Sequence, residues 1–238
     1  ILLWKGADLF VDVASSVARK YHISELVIGL TFVGFGTSAP EFAVSIGAAL
    51  AGKADISVSN IVGSNIFNLG FILGGCAIIK PIISSKTLVF RDGFLLIGTT
   101  LFLFVSLLDL TLTRFEGVLM FSALIGYILF LFFKKEGQSH SIDQDESSEV
   151  AVNSRDEKIG YDIFLGISGL LMILGGAELL VYAASNIARD MGLSEWAIGV
   201  TIIAAGKSMP EFVTSLNAAL KGRYGISAGA LIGSDLYN

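Results

Sequence analysis

Residues 29–68 read GLTFVGFGTSAPEFAVSIGAALAGKADISVSNIVGSNIFN, and residues 199–238 read GVTIIAAGKSMPEFVTSLNAALKGRYGISAGALIGSDLYN. The match extends further back. Residues 1–68 align with 171–238 without a gap, at a constant offset of 170, with 28 identities by direct count. A repeat of this length says that one structural unit has been used twice, and it covers more than half the chain. In each copy a glutamate, Glu41 or Glu211, follows a proline inside an apolar run. A G-S-x-x-x-N cluster stands 22–27 residues beyond it. A carboxylate in hydrocarbon costs roughly 2.5 kcal/mol or more, so an acid inside a membrane span points to function.

The composition agrees with a membrane setting. Hydrophobic residues make up 53% of the chain, charged residues 16%, and the mean hydropathy is +0.74, too apolar for an ordinary soluble domain. A bilayer core takes about 20 apolar residues per helix. The sequence offers such runs near 1–18, 24–50, 55–79, 93–109, 115–133, 160–186 and 194–220, with another starting at 226. The expected fold is an all-α polytopic membrane protein. The chain starts in one helical pattern and stops within another, so sequence is expected beyond both ends. Residues 134–158 are polar and acidic and lack apolar periodicity, as expected of a loop between two halves. The resulting domains are 1–133, a first transmembrane half holding the copy at 29–68; the loop 134–158; and 159–238, a truncated second half holding the copy at 199–238.

Five spans separate the start of one copy from the start of the other. An odd number inverts the second copy, as in many secondary transporters. The connections on one side carry Arg19, Lys20, Lys80, Lys86, Arg91, Lys134, Lys135, Arg155, Lys158, Lys221 and Arg223; those on the other carry Lys53, Arg114 and Arg189. This excess places loop 134–158 in the cytoplasm of a multi-pass plasma-membrane protein. Nucleic acid is not expected as a partner, nor is an obligate protein partner; the bilayer and transported cations are. Cys76 lies in an apolar run and reads as a packed, inert thiol. His22 and His140 fall in predicted loops and read as solvated.

Pro40 and Pro210 lack the amide that would close a helix bond on Gly36 or Gly206, which predicts a broken helix with a free carbonyl in each copy. Ser38 and Ser208 lie three residues before the glutamates, Ser45 and Ser215 four after. Both flanking serines share the glutamate's helical face and make an oxygen-rich stripe. The next helix adds Ser64 and Asn68, or Ser234 and Asn238, one turn apart, with Asn65 and Asp235 one position round. Hard cations take six to eight such oxygens, and the repeats contain no Cys, and no His beyond the predicted-loop His22, that would suit a softer metal. Small residues such as Gly63 and Ser64 also serve helix packing. Asp8 and its mate Glu178 fit either a solvated edge or a functional role.

GTSAPE with GSNIFN, repeated as GKSMPE with GSDLYN, resembles the two α-repeats of the cation/calcium exchanger superfamily, of the prokaryotic sodium/calcium exchanger type. The resemblance covers residues 1–68 and 171–238. It implies ten helices in two inverted five-helix halves, about eight of them in this chain, with broken helices at an ion site built from the second and third helices of each half. The cation ligands it implies are Thr37, Ser38, Glu41, Ser64, Asn68, Ser208, Glu211, Ser234 and Asn238. The first and sixth helices would slide across this core.

Two positions depart from the pattern. Lys207 stands where the first copy has Thr37, and Asp235 where it has Asn65. They read as a charge-compensating pair, leaving a site of three acids and one lysine with net charge -2, the charge that one Ca²⁺ or two Na⁺ would balance. Lys207 would replace one Na⁺ or carry a proton. The functional expectation is an antiporter exchanging Ca²⁺ for Na⁺ by alternating access. No catalytic residue, no cofactor and no enzyme activity are expected. The alternatives are a Ca²⁺/H⁺ exchanger and, from other classes, a cation channel or an intramembrane metal-dependent enzyme. For the enzyme the repeats offer no H-E-x-x-H motif.

Overall fold

The computed structural model describes residues 1–133 and 159–238; the expected cytoplasmic loop 134–158 and His140 lie outside the described residues. Among the described residues ten helices run in order: α1 Leu2–Lys20, α2 Glu25–Thr37, α3 Ala39–Leu50, α4 Ala54–Ile79, α5 Leu88–Asp109, α6 Arg114–Phe133, α7 Ile159–Asp190, α8 over 195–207, α9 Met209–Leu220 and α10 Tyr224–Tyr237. Among the described residues four are long and apolar enough to cross a membrane alone, and α2 with α3, bent by 53°, makes a fifth if the pair is one span. Large apolar side chains such as Phe104, Phe115, Phe121 and Phe133 lie exposed on α5 and α6, as lipid-facing helices require.

The two halves meet along α1 and α7. A Cβ on Gly6 would touch Met172 Cβ at 2.8 Å and Ile173 N at 2.9 Å; one on Gly169 would touch Phe10 N at 3.0 Å; one on Gly176 would touch Leu3 N at 3.0 Å; and one on Gly166 would touch Val13 Cγ1 at 3.2 Å. The pairs 3–176, 6–173, 10–169 and 13–166 advance on one helix as they retreat on the other. The helices are therefore antiparallel. Because Leu3 is the repeat mate of Ile173 and Gly6 of Gly176, the crossing maps onto itself when the copies are exchanged, which is the inverted relation expected from the odd span count. Close backbone approach over small residues supplies the packing that hydrophobicity cannot supply within lipid. Phe10, Val11, Ala14 and Ile173 fill the core beside it.

The sequence does not announce the π-helical turns. Gly29–Val33 and its mate Gly199–Ile203 are both π-helical, and each holds a threonine whose hydroxyl donates back to a carbonyl four residues earlier, Thr31 to Val27 O and Thr201 to Ala197 O, both at 2.6 Å. A third π turn begins at Asn68. A fourth, Leu88–Asp92, starts α5 earlier than the expected 93. There the fully buried Asp92 takes Arg91 Nε at 2.7 Å and the Tyr127 hydroxyl, tying α5 to α6.

Cys76 is buried against Ile72 and Leu231, as expected, and His22 sits exposed in a turn at φ 53°. Asp8 is exposed and paired: Lys221 Nζ lies 2.7 Å from Asp8 Oδ1 and 2.6 Å from Asp12 Oδ1. Glu178 is exposed.

Candidate cation site

Both prolines act as helix starters. The chain leaves α2 at Ser38 and α8 at Ser208, and Pro40 and Pro210 occupy the first turns of α3 and α9, where a missing amide costs little. At the end of α2 the Ser38 amide bonds Gly34 O at 3.0 Å, one turn back. At such a break the glutamate falls in the first turn of the new helix. Glu41 and Glu211 are both 2% exposed.

Around them the structure brings together residues of both copies. The Ser38 hydroxyl lies 2.6 Å from Ser234 Oγ and 3.5 Å from Glu211 Oε1. Thr37, beside Ser38, is buried with its hydroxyl donating back to Val33 O at 3.2 Å and Gly34 O at 3.3 Å. Asn68 Nδ2 donates to Ser234 Oγ at 3.0 Å and to Asp235 Oδ1 at 2.9 Å. Asn238 Nδ2 donates to Ser64 Oγ at 3.3 Å and to Asn65 Oδ1 at 3.2 Å. Ser208 is buried beside Glu211 in sequence, but no side-chain bond joins it to the others among the described residues.

Several buried acceptors here have no protein partner: both oxygens of Glu41, Glu211 Oε2, Asn68 Oδ1 and Asp235 Oδ2. Buried polar atoms are seldom left unsatisfied, because each costs about 1–3 kcal/mol. Partnerless carboxylate and amide oxygens are what a hard cation takes. No three His, Cys, Asp or Glu side chains converge into a metal centre among the described residues. The partnerless acceptors here are carboxylate oxygens of Glu41, Glu211 and Asp235 and the amide oxygen of Asn68.

Three placements differ from the sequence reading. Ser45 and Ser215 serve the next helix: Asn60 Nδ2 donates to Ser45 Oγ at 3.0 Å, and Ser215 Oγ reaches Ser227 O at 3.4 Å. Ser57 and its mate Ser227, which the sequence reading did not single out, donate to Ser45 O and Ser215 O at 2.9 and 2.8 Å. Their signal was identity at equivalent positions of both copies. Lys207 and Asp235 form no ion pair with each other among the described residues; the Asp235 carboxylate accepts from Asn68 Nδ2 instead.

A family model described as sodium/calcium exchanger protein matches residues 1–133 and 161–238. The chain belongs to the sodium/calcium exchanger family. It is 39% identical to the putative antiporter CaxA of Alkalimonas amylolytica, over 100% of this chain and 74% of that one. It is 33% identical to the sodium/calcium exchanger MaX1 of Methanosarcina acetivorans, over 100% of this chain and 77% of that one. The sodium–calcium exchanger NCX_Mj, in a structure soaked with zero Na⁺ and Ca²⁺, superposes with a TM-score of 0.82 at 34% identity, covering 99% of this chain and 74% of that one. Members of this exchanger family are membrane transporters for cations, and the fold described above is theirs.

Proposed function

We propose that this protein exchanges Ca²⁺ for Na⁺ across the plasma membrane by alternating access, with Glu41 and Glu211 as the anionic ligands of a single cavity that the two ions occupy in turn. The observation that carries the reading is the set of buried, partnerless acceptor oxygens on Glu41, Glu211 and Asn68 at the junction of two inverted helix breaks. Helix breaks at an inverted-repeat junction form ion sites in secondary transporters. Thr37, Ser38, Ser64, Ser208, Ser234 and Asn238 complete the ligand set. Two carboxylates that repel each other when empty are stabilised by a divalent cation or by two monovalent ones, which is why one load excludes the other. The positive-inside count puts the long loop in the cytoplasm.

The test is ⁴⁵Ca²⁺ uptake into proteoliposomes under an outward Na⁺ gradient, compared with an outward H⁺ gradient, with Glu211→Gln as control. Uptake above the equilibrium level driven by Na⁺ and lost in the variant is expected. Uptake driven by H⁺ alone would replace Na⁺ as the coupling ion, and uptake that never exceeds equilibrium would make the protein a channel.

A further inference from the structure

Positions 65 and 235 sit one step off the face of α4 and α10 that carries the proposed ligands, yet each touches the asparagine of the opposite copy. The contacts are repeat mates of each other. Asn68 Nδ2 donates to Ser234 Oγ and Asp235 Oδ1, and Asn238 Nδ2 donates to Ser64 Oγ and Asn65 Oδ1. An amide has a donor end and an acceptor end, and only its neighbours decide which end points where. A serine hydroxyl cannot decide, because it both donates and accepts. A carboxylate or a backbone carbonyl can, because it only accepts.

Asp235 supplies both kinds of acceptor. Its Oδ1 holds the NH₂ end of Asn68 at 2.9 Å, which leaves Asn68 Oδ1, buried and without a protein partner, as the free end. Its backbone carbonyl holds Asn65 Nδ2 at 3.1 Å; this turns Asn65 Oδ1 toward Asn238, fixes the Asn238 amide by its nitrogen, and frees its oxygen. Ser64 adds to the polarity of the second set, since its own proton goes to Asn60 O at 2.6 Å and only its lone pairs remain for Asn238. In both copies the end left over is the carbonyl oxygen, the end a hard cation binds.

We propose that Asp235 is a positioning residue which, with Asn65, fixes the orientation of the Asn68 and Asn238 amides so that both present their carbonyl oxygens to the transported cation. This rests on the antiport reading for its functional consequence. The carboxylate at 235 does through one hydrogen bond what Asn65 does in the other copy only because its own amide is pinned by the Asp235 carbonyl. Outer partners of this kind commonly cost 10–100-fold in affinity when removed from metal sites.

The experiment measures initial rates of ⁴⁵Ca²⁺ uptake against Ca²⁺ concentration in proteoliposomes for Asp235→Leu, Asp235→Asn, Asn68→Ala and the double variant Asp235→Leu/Asn68→Ala. Thermal unfolding of each is followed in detergent. Asp235→Leu is expected to raise the half-saturating Ca²⁺ concentration at least tenfold with a smaller effect on maximal rate. Asp235→Asn, which restores an acceptor, should recover most of that loss, and the double variant should be no worse than Asn68→Ala alone, since both changes act through one amide. Additive losses, or an Asp235→Asn variant as impaired as Asp235→Leu, would overturn the proposal and make the charge itself the contribution of Asp235. A readout independent of transport is the side-chain ¹⁵N signal of Asn68, assigned by its loss in Asn68→Ala. It should shift in Asp235→Leu and return toward its original position in Asp235→Asn. An unshifted signal refutes the orientation; absence of Ca²⁺ uptake in the unmodified protein refutes the antiport reading instead.

Discussion

Gly6→Ala tests the crossing along which the two halves meet. A Cβ at residue 6 would stand 2.8 Å from Gly169 O, 2.8 Å from Met172 Cβ and 2.9 Å from Ile173 N, where ordinary contact begins near 3.4 Å. The shortfall is about 0.5–0.6 Å, and two of the three atoms are backbone, so no rotamer change relieves it. Either α1 and α7 separate over their whole crossing or the new methyl strains in place; overpacking of this kind costs about 1–3 kcal/mol. The better helix propensity of alanine returns at most about 1 kcal/mol. A domain of this size loses about 2–4 °C of Tm per kcal/mol, which sets an expected drop of several degrees. Gly175→Ala is the matched control on α7: nothing lies within 4 Å of the added atom, and the propensity gain is the same. The assay is thermal unfolding in detergent followed by size-exclusion chromatography, with both variants beside the unmodified protein. Equal melting of Gly6→Ala and Gly175→Ala would refute the close antiparallel crossing and the inverted arrangement read from it.

Tyr127→Phe removes a hydrogen bond to the buried Asp92 carboxylate and should lower stability by about 1.5–3 kcal/mol, read as a Tm shift. Lys221→Gln breaks the contacts to Asp8 and Asp12; both partners are more than half exposed, so the loss should be under about 1 kcal/mol per pair and should vanish at about 1 M salt, in melts run across ionic strength. Ser227→Ala, at a fully buried position, should cost about 1 kcal/mol, and its half-buried mate Ser57→Ala less, compared by the same melts. Glu41→Gln should abolish gradient-driven Ca²⁺ uptake without lowering Tm, because it removes a buried, partnerless charge; a lower Tm would mean the carboxylate holds the fold together.

Much of this was legible in the chain because the repeat made each inference twice. The break before Pro40 recurs before Pro210, the burial of Glu41 recurs at Glu211, and the antiparallel crossing follows from an odd number of spans. What stayed hidden depends on rotation about a helix axis by less than a turn. Ser45 and Ser215 share a nominal face with the glutamates, but α4 and α10 pack against that side and take their hydrogen bonds. The π turns at Gly29–Val33 and Gly199–Ile203 add a residue to one turn and so re-aim everything that follows, which no 3.6-residue count anticipates. Asn65 and Asp235 looked peripheral by the same counting. Lys207 and Asp235 invited pairing because their charges are opposite and their motifs adjacent, but α10 turns Asp235 toward Asn68.

The asymmetry between the copies carries its own argument. A perfect inverted repeat would give every contact between halves a mirror, and two have one: the α1–α7 crossing and the asparagine sets. The charged contacts between halves do not. Lys221 joins α9 to Asp8 and Asp12 of α1, but its mate is Ala51 and the mate of Asp12 is Tyr182, so the reverse contact cannot form. Arg223 reaches across to Glu25 at 2.9 Å, whereas the equivalent Glu195 is held within its own half by Arg189 at 2.6 Å. All of these unmirrored bonds between halves are made by Lys221 and Arg223, just beyond the end of α9. A transporter that alternates between two faces built from the same unit needs its two closed forms to differ in free energy by only a small amount, since a large bias would trap one of them. Half-exposed ion pairs, each of under about 1 kcal/mol, are of the size to distinguish the faces without locking either.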